Sequence, residues 1–219
     1  LIHWLMGDGC KSISSYGSLS YFKKENAPEG CGDICLDCPK HIKNNCPYDA
    51  ESLYITAPIW RFTFLKLLGD VITGKPKYNR KDKYDSLRTG LFGRCVYKCD
   101  NNALDHQVVT MDYGDNRYVN LNVTAFSEKC YRHTILHMEK ADIHCDESKG
   151  RFIINRFGTG SKTVYAGAIR LAHISGDMAL VNNFIKLLSG EPVETDDLTF
   201  IDTTIVSHRN VMKAEQWRK

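Results

Sequence analysis

The chain has 219 residues, of which 42% are hydrophobic and 25% are charged, proportions that suit a globular domain and exclude a disordered or fibrous protein. Its 29 basic and 26 acidic residues give a net charge of +3, which is too balanced to indicate a nucleic-acid-binding protein. Apolar stretches are far shorter than the roughly 18 residues that cross a bilayer, so the sequence predicts neither a nucleic-acid nor a membrane partner.

The first residues are typical of the end of a helix. Leu1 to Gly7 carry apolar side chains at helical spacing and close with a glycine, but no N-cap residue comes before them. No signal peptide is visible either. We therefore expect residues 1–7 to be the stub of a helix that begins in a longer protein. A mature N-terminus left by processing is the alternative.

Residues 11–22 alternate roughly between polar and apolar side chains, which predicts a strand. Residues 23–49 follow as an aperiodic loop rich in Cys, Pro and Asn. A structureless loop of this length needs something to order it. The candidate is a group of four thiols at Cys31, Cys35, Cys38 and Cys46, because four thiolates suit a tetrahedral zinc ion.

Two other interpretations of these four thiols stay open. The order C-x3-C-x2-C of Cys31, Cys35 and Cys38 is also that of the iron–sulfur ligands of radical-SAM enzymes, although no βα repeat follows it here. The thiols can also simply pack as small apolar groups. We expect that packing role for the other five cysteines, which are Cys10, Cys95, Cys99, Cys130 and Cys145. An odd total of nine without a secretory signal indicates a reducing, cytoplasmic location.

The middle of the chain gives weaker signals. Apolar residues at helical spacing between a proline and a glycine predict a helix over residues 58–68. Residues 75–93 are polar and are expected to form a loop. Residues 95–99 are expected to form a short strand.

Hairpins are the clearest elements. Residues 107–113 pair with 118–126 across a Gly114-Asp115-Asn116 turn, and the second arm alternates strictly between apolar and polar side chains. Residues 132–145 are expected to pair with 151–157, and a further strand is expected at 162–167.

Two amphipathic helices are predicted at the end of the chain, over residues 177–188 and from 196 to about 213. Hairpins followed by helices indicate an α+β fold with an open, mostly antiparallel sheet and helices packed on one face. We expect one domain over residues 1–219. The uncovered sheet face is expected to contact another subunit or domain.

Asp105 and His106 stand side by side at the start of a predicted strand. A histidine beside a carboxylate can move protons near neutral pH, although a histidine at a strand edge is also commonly a structural hydrogen-bonding partner. No G-x-G-x-x-G occurs, so the chain has no dinucleotide-binding fingerprint of its own.

Several phrases along the chain are specific when taken together. They are SYGSLSYF at 15–22, ENAPEG at 25–30, CLDCP at 35–39, CPY at 46–48, RCVYKCDN at 94–101, DHQVV at 105–109 and SGD at 175–177. From residue 1 to about 214 the chain resembles one branch of the Gfo/Idh/MocA oxidoreductases. The resemblance implies an NAD(P)-dependent dehydrogenase of a sugar- or polyol-like alcohol. It also implies an N-terminal Rossmann domain and a C-terminal α+β domain whose sheet forms the homo-oligomer interface.

The family's cofactor glycines, its Glu-Lys-Pro lysine and its catalytic histidine do not occur in this sequence. The chain therefore resembles the C-terminal domain alone, inactive by itself, whose partner is its own missing Rossmann domain. NAD or NADP would bind there, so no catalytic residue is assigned here. By the resemblance, Arg94, Asp105 and His106 face the substrate. A non-enzymatic binding or scaffold module, clamped by zinc at the four thiols, is the alternative.

Overall fold

A computed structural model describes residues 1–7, 9–56, 69–127, 131–165, 174–193 and 200–218. Helices and open antiparallel sheets both occur in these residues, which confirms the predicted α+β fold. The helices are α1 (Ile2–Met6), α2 (Lys40–Lys43), α3 (Ala50–Tyr54), α4 (Arg80–Thr89), α5 (Ile174–Ser189) and α6 (Ile201–Gln216). The strands are β1 (Ser12–Ser18), β2 (His106–Gly114), β3 (Arg117–Thr124), β4 (His133–His137), β5 (Ala141–Asp146), β6 (Arg151–Arg156) and β7 (Gly160–Tyr165).

The chain divides into two compact units. One contains Leu1–Ser14, Thr110–Asn120 and Phe126–Trp217, and the other contains Ser15–Val109, Leu121–Ala125 and Arg218–Lys219. Both candidate sites described below lie entirely in the second unit. The expectation of one domain over residues 1–219 stays a prediction.

A four-stranded antiparallel sheet in the order β4-β5-β6-β7 belongs to the first unit. Successive residues of a strand point to opposite faces, so the register defines an apolar face and a polar face. The apolar face carries Leu136, Ile143, Cys145, Phe152, Ile154 and Val164. The polar face carries His133, Ile135, His137, Asp142, His144, Asp146, Arg151, Asn155, Ser161 and Thr163, together with Ile153 and Tyr165.

The prediction of one strand over residues 132–145 is wrong, because this stretch contains both β4 and β5. The chain turns at Met138, whose N–H donates to the carbonyl of Ala141 at 3.0 Å. The residues between them, Glu139 and Lys140, include none of the glycine, proline or asparagine that usually marks a turn, so no local residue type indicates this turn.

A second sheet has the order β1-β2-β3. Its β2–β3 hairpin confirms the predicted one, and Asp115 and Asn116 at its tip adopt φ values of 52° and 59°. Two consecutive positive φ values define the type I′ turn that matches the twist of paired strands. The apolar side chains of β3 are not buried as the alternation suggested, since Leu121 is 36% exposed and Val123 is 44% exposed.

Helix α4 lies within residues 75–93, where a loop was expected, so that prediction is wrong. The helix begins with a capping box in which Asn79 Oδ1 accepts the Asp82 N–H at 3.0 Å and Asp82 Oδ2 accepts the Asn79 N–H at 2.9 Å. Leu87 on this helix is fully buried against Ala50 and Ile72. Tertiary packing of one leucine therefore supports a mostly polar helix.

The terminal helices agree with the sequence. Helix α1 ends at Gly7, which has a φ of 72°, and α5 and α6 include most of the two predicted segments. The helix predicted over residues 58–68 lies outside the described residues. The apolar side chains of α5 are between 52% and 71% exposed from Met178 to Leu188. Among the described helices, none combines the length and the apolar character required to cross a bilayer.

Candidate functional site

The carboxylate of Asp105 is almost completely buried, with only 3% of the residue exposed. Its Oδ2 accepts the backbone N–H groups of Ser20 at 2.9 Å and Tyr21 at 2.6 Å, and the N–H of Phe22 approaches at 3.4 Å. Its Oδ1 lies 2.7 Å from His106 Nδ1 and accepts the Ser20 hydroxyl at 3.3 Å. One carboxylate therefore anchors the segment 20–22 and orients the imidazole.

Burial alone would raise the pKa of Asp105. The donated hydrogen bonds from Tyr21, His106, Ser20 and Phe22 outweigh burial and hold this pKa well below its usual range. The carboxylate is therefore ionised at neutral pH and can only accept, so Nδ1 of His106 carries a proton. In the neutral imidazole, Nε2 is then the basic nitrogen. The His106 side chain is 43% exposed, which leaves the imidazole within reach of solvent and solutes.

Pairing of β1 with β2 places this couple. The Asp105 N–H donates to the carbonyl of Ser18 at 3.1 Å, and Gln107 Nε2 donates to the Ser15 hydroxyl at 2.9 Å. Gly17 permits the close approach, because a Cβ there would lie 2.5 Å from the carbonyl oxygen of His106. The phrases SYGSLSYF and DHQVV, distant in sequence, are therefore neighbours in the fold.

The third substrate-facing candidate, Arg94, is not part of this couple. Its Nη1 donates to Asp100 Oδ1 at 2.7 Å. In the described contacts its guanidinium touches neither Asp105 nor His106. The structure thus brings two of the three candidates together, and a substrate-facing role of Arg94 stays a prediction.

The cysteine-rich stretch is a folded loop with short helical turns at Lys24–Asn26, Cys35–Asp37 and α2. It surrounds a cavity of about 20 Å³, which is room for one water molecule or one ion. Five thiols line this cavity: those of Cys31, Cys35, Cys38, Cys46 and Cys95. All four thiols predicted from the sequence are therefore neighbours, and a fifth joins them.

Cys95 is the residue that the sequence analysis missed. The strand expected over residues 95–99 is wrong, since this segment is a turn that makes one antiparallel bridge between Arg94 and Ile34. The Cys95 N–H donates to the Asp33 carbonyl at 2.8 Å, and Lys98 Nζ donates to the Cys31 carbonyl at 2.8 Å. The phrase RCVYKCDN could have pointed to this thiol, because it contains two cysteines, Cys95 and Cys99, with three residues between them.

Burial raises the pKa of Cys95 to about 11, and the neighbouring Cys31 and Cys35 thiols add to this shift. Burial likewise raises the pKa of Cys35. Both side chains are therefore neutral thiols at pH 7 unless a cation stabilises the thiolates. As the side chains stand, no three His, Cys, Asp or Glu residues in the described ranges are grouped closely enough to hold a metal ion. The zinc interpretation stays a prediction.

Asp49 also lines the thiol cavity, and 4% of the residue is exposed. It caps α3, where its Oδ2 accepts the backbone N–H of Ser52 at 2.9 Å and the Ser52 hydroxyl at 2.6 Å. Its Oδ1 is buried and has no hydrogen-bonding partner among the described residues. Lys43, which lines the same cavity, pairs its Nζ with Glu51 instead. Lys43 still interacts electrostatically with Asp49, so the buried oxygen lacks a hydrogen-bond donor but has a cation nearby.

Four aromatic rings lie beside the cavity, and their centroids are 5.1 to 6.3 Å apart. They belong to Tyr21, Phe22, Tyr48 and Tyr97. Edge-to-face packing at these distances is a favourable arrangement of aromatic rings. The cluster contacts both sites, because Tyr97 lines the thiol cavity and the backbone of Tyr21 holds Asp105.

Comparison of the chain with family models, with curated proteins and with solved structures found no match. The described strands pair antiparallel and include no parallel βαβ unit with a glycine-rich turn.

Proposed function

We propose that this chain is the substrate-side domain of a cytoplasmic oxidoreductase that moves a hydride between NAD or NADP and a sugar- or polyol-like alcohol. The observation that carries the proposal is the Asp105–His106 couple, in which a buried carboxylate orients a half-exposed imidazole. The two phrases that frame it are among those that resemble the Gfo/Idh/MocA family.

In this proposal the nicotinamide, held by a separate Rossmann domain, supplies the hydride chemistry. The exposed imidazole of His106 would face a substrate hydroxyl, and Asp105 fixes the orientation of the ring. A polyhydroxylated substrate needs such fixed polar groups, because an oriented hydrogen bond discriminates one hydroxyl from another. The couple is thus assigned to binding and positioning, and the chain is inactive alone.

The open sheet supports a proposed homo-oligomer. Its polar face, centred on Ile135 and His144, offers hydrogen-bonding and charged groups that a second copy of the chain can satisfy. On this face, His144 Nε2 lies 3.2 Å from Asp142 Oδ1, so these two side chains already pair with each other.

Titration with NADH and NADPH tests whether the nucleotide binds to the separate Rossmann domain and not to this chain. The 219-residue chain is expected to show no micromolar binding of either nucleotide, whereas the product of the whole reading frame is expected to bind one of them. Micromolar binding by the chain alone would overturn the assignment. The gene sequence upstream of Leu1 gives an independent check, because it is expected to encode a glycine-rich strand–turn–helix and a later Glu-Lys-Pro.

A variant pair tests the role of His106 in the product of the whole reading frame. With a panel of polyols and oxidised nucleotide, His106→Gln is expected to raise KM for the alcohol at least about tenfold, equivalent to about 1.4 kcal/mol of lost binding. His208→Gln, at an exposed position of α6, is the matched control and is expected to leave KM unchanged. Equal KM values for His106→Gln and the unmodified protein would contradict the role.

A non-enzymatic binding module is the second candidate function, and the observation in its favour is the cavity lined by five thiols. Here a metal-clamped loop would present a surface to a partner. Nucleotide-dependent turnover of any alcohol by the product of the whole reading frame excludes this candidate. A metal alone does not, because an oxidoreductase can also carry a structural ion.

A further inference from the structure

The five thiols come from two separate segments that the backbone holds together. Four lie on the loop between Cys31 and Cys46, and the fifth belongs to the turn at Cys95, 49 residues further along the chain. The Arg94–Ile34 bridge and the Cys95 N–H bond to Asp33 fix the two segments against each other. A ligand bound between them would therefore close a long loop of the chain.

The cavity has the chemistry of a cation site. Cysteine thiolates are soft ligands that prefer Zn²⁺, Cu⁺ or iron–sulfur clusters. Asp49 is also among the residues that line this cavity, and its buried Oδ1 has no hydrogen-bonding partner in the described part of the chain. A buried carboxylate oxygen without a donor is costly, and a cation in the cavity would compensate it.

The structure distinguishes among the five thiols. Cys35 and Cys38 flank a 3-10 turn in which the Cys38 N–H donates to the Cys35 carbonyl at 3.2 Å, an arrangement that brings a C-x2-C pair to one side. Cys95 is the one buried residue of the five, with 8% exposed. Cys31 lies between two glycines, and Gly30 has a φ of 74°. The Cys35 thiol interacts electrostatically with Cys38, Cys46 and Cys95, whereas the Cys31 thiol hydrogen-bonds with Cys95.

We propose that Cys35, Cys38, Cys46 and Cys95 bind one structural Zn²⁺, and that Cys31 is not a ligand. The assignment replaces one member of the set predicted from the sequence. The four thiols would converge by rotation about their χ1 angles, because the cavity already lies between them. The space of about 20 Å³ accommodates one ion. The Asp49 carboxylate would then lie beside the ion without binding it, and it would help to orient the loop.

Metal content and serine variants test the site. The 219-residue chain, purified under reducing conditions and incubated with zinc sulfate, is expected to retain about one Zn²⁺ per chain after desalting. Cys35→Ser, Cys38→Ser, Cys46→Ser and Cys95→Ser are each expected to lose at least about nine-tenths of it. The matched controls Cys31→Ser and Cys145→Ser are expected to keep it.

Replacement of zinc by Co²⁺ keeps the proposal testable where a serine variant fails to fold. The unmodified chain and the Cys31→Ser variant are expected to show the same intense visible bands of tetrahedral cobalt with thiolate charge transfer. A chain that retains no metal would overturn the site. Loss of metal from Cys31→Ser with retention in Cys95→Ser would overturn the ligand assignment, and iron with acid-labile sulfide would overturn the choice of metal.

Discussion

Tyr97 donates its hydroxyl proton to the hydroxyl oxygen of Tyr21 at 3.2 Å, and this contact joins the two candidate sites. On one side the buried Tyr97 lines the thiol cavity. On the other, the backbone N–H of Tyr21 donates to Asp105 at 2.6 Å. The order of the thiol loop and the position of the Asp105–His106 couple are therefore linked through two side chains.

Tyr97→Phe removes this hydroxyl while keeping the ring in the aromatic cluster. Loss of one hydrogen bond between partly buried groups is expected to lower the free energy of unfolding by about 1 kcal/mol. Tyr118→Phe is the matched control, since Tyr118 is 63% exposed and is expected to change stability by less than about 0.5 kcal/mol. Urea unfolding measures both, and equal values for the two variants would show that the contact contributes nothing.

Asp105→Asn tests the hydrogen bonds that the Asp105 carboxylate accepts from residues 20–22 and its contact with His106. The amide keeps the shape but places an N–H₂ group among the backbone donors, so we expect a loss of about 3 kcal/mol at pH 7. Asp115→Asn, at the exposed tip of the β2–β3 hairpin, is the control and is expected to be nearly neutral. Chemical unfolding at fixed pH measures the difference in stability. A loss smaller than that of the control would contradict a stabilising role of the hydrogen bonds to Asp105.

The same carboxylate predicts a pH dependence. The folded pKa of Asp105 lies below its unfolded value, so its contribution to stability is complete above the unfolded pKa of about 3.9 and is lost as the pH falls toward the folded value. The stability difference between the unmodified chain and Asp105→Asn is therefore expected to be constant from pH 7 to about 5 and to shrink below about 4. A constant difference down to pH 3 would contradict the depressed pKa.

Leu87→Ala tests the small core between α3 and α4. Leu87 is fully buried against Ala50 and Ile72, so truncation is expected to cost 2 to 5 kcal/mol, about the range for buried leucines. Leu91→Ala changes the same residue type a few positions later, where 72% is exposed, and is expected to cost less than about 0.5 kcal/mol. Thermal or urea unfolding separates them, and similar losses would show that this core is not formed.

Metal removal tests the link between the two candidate sites. This prediction rests on the proposed zinc site. Chelation is expected to speed amide exchange at Ser20 and Tyr21 at least about tenfold, because the thiol loop then loses the ion that orders Tyr97. The β4–β7 sheet serves as the internal control, and its amides are expected to be unaffected. Unchanged exchange at Ser20 and Tyr21 after complete removal of zinc would show that the aromatic contact does not transmit order.

Signals that are local in sequence were predictable. The Asp115-Asn116 turn fixed the first hairpin, and Gly7 ended α1, because both depend on backbone conformations that few residues adopt. Helix α4 was missed because its capping box uses Asn79 and Asp82 in place of the common Ser/Thr and Glu, and because its support from Leu87 is tertiary. Cys95 was missed for a similar reason: only the folded chain brings it beside Cys35.

Light scattering tests the proposed subunit contact on the polar face of the β4–β7 sheet. The unmodified chain is expected to be a dimer. Ile135 is 40% exposed on this face, so Ile135→Glu would bury a charge in the contact and is expected to raise the dimer dissociation constant about 100-fold or more. Phe157→Glu, in the β6–β7 turn where Phe157 is 58% exposed, is the matched control and is expected to leave the dimer intact. Dissociation by Phe157→Glu but not by Ile135→Glu would place the contact elsewhere, and an unmodified chain that stays monomeric at high concentration would contradict the dimer itself.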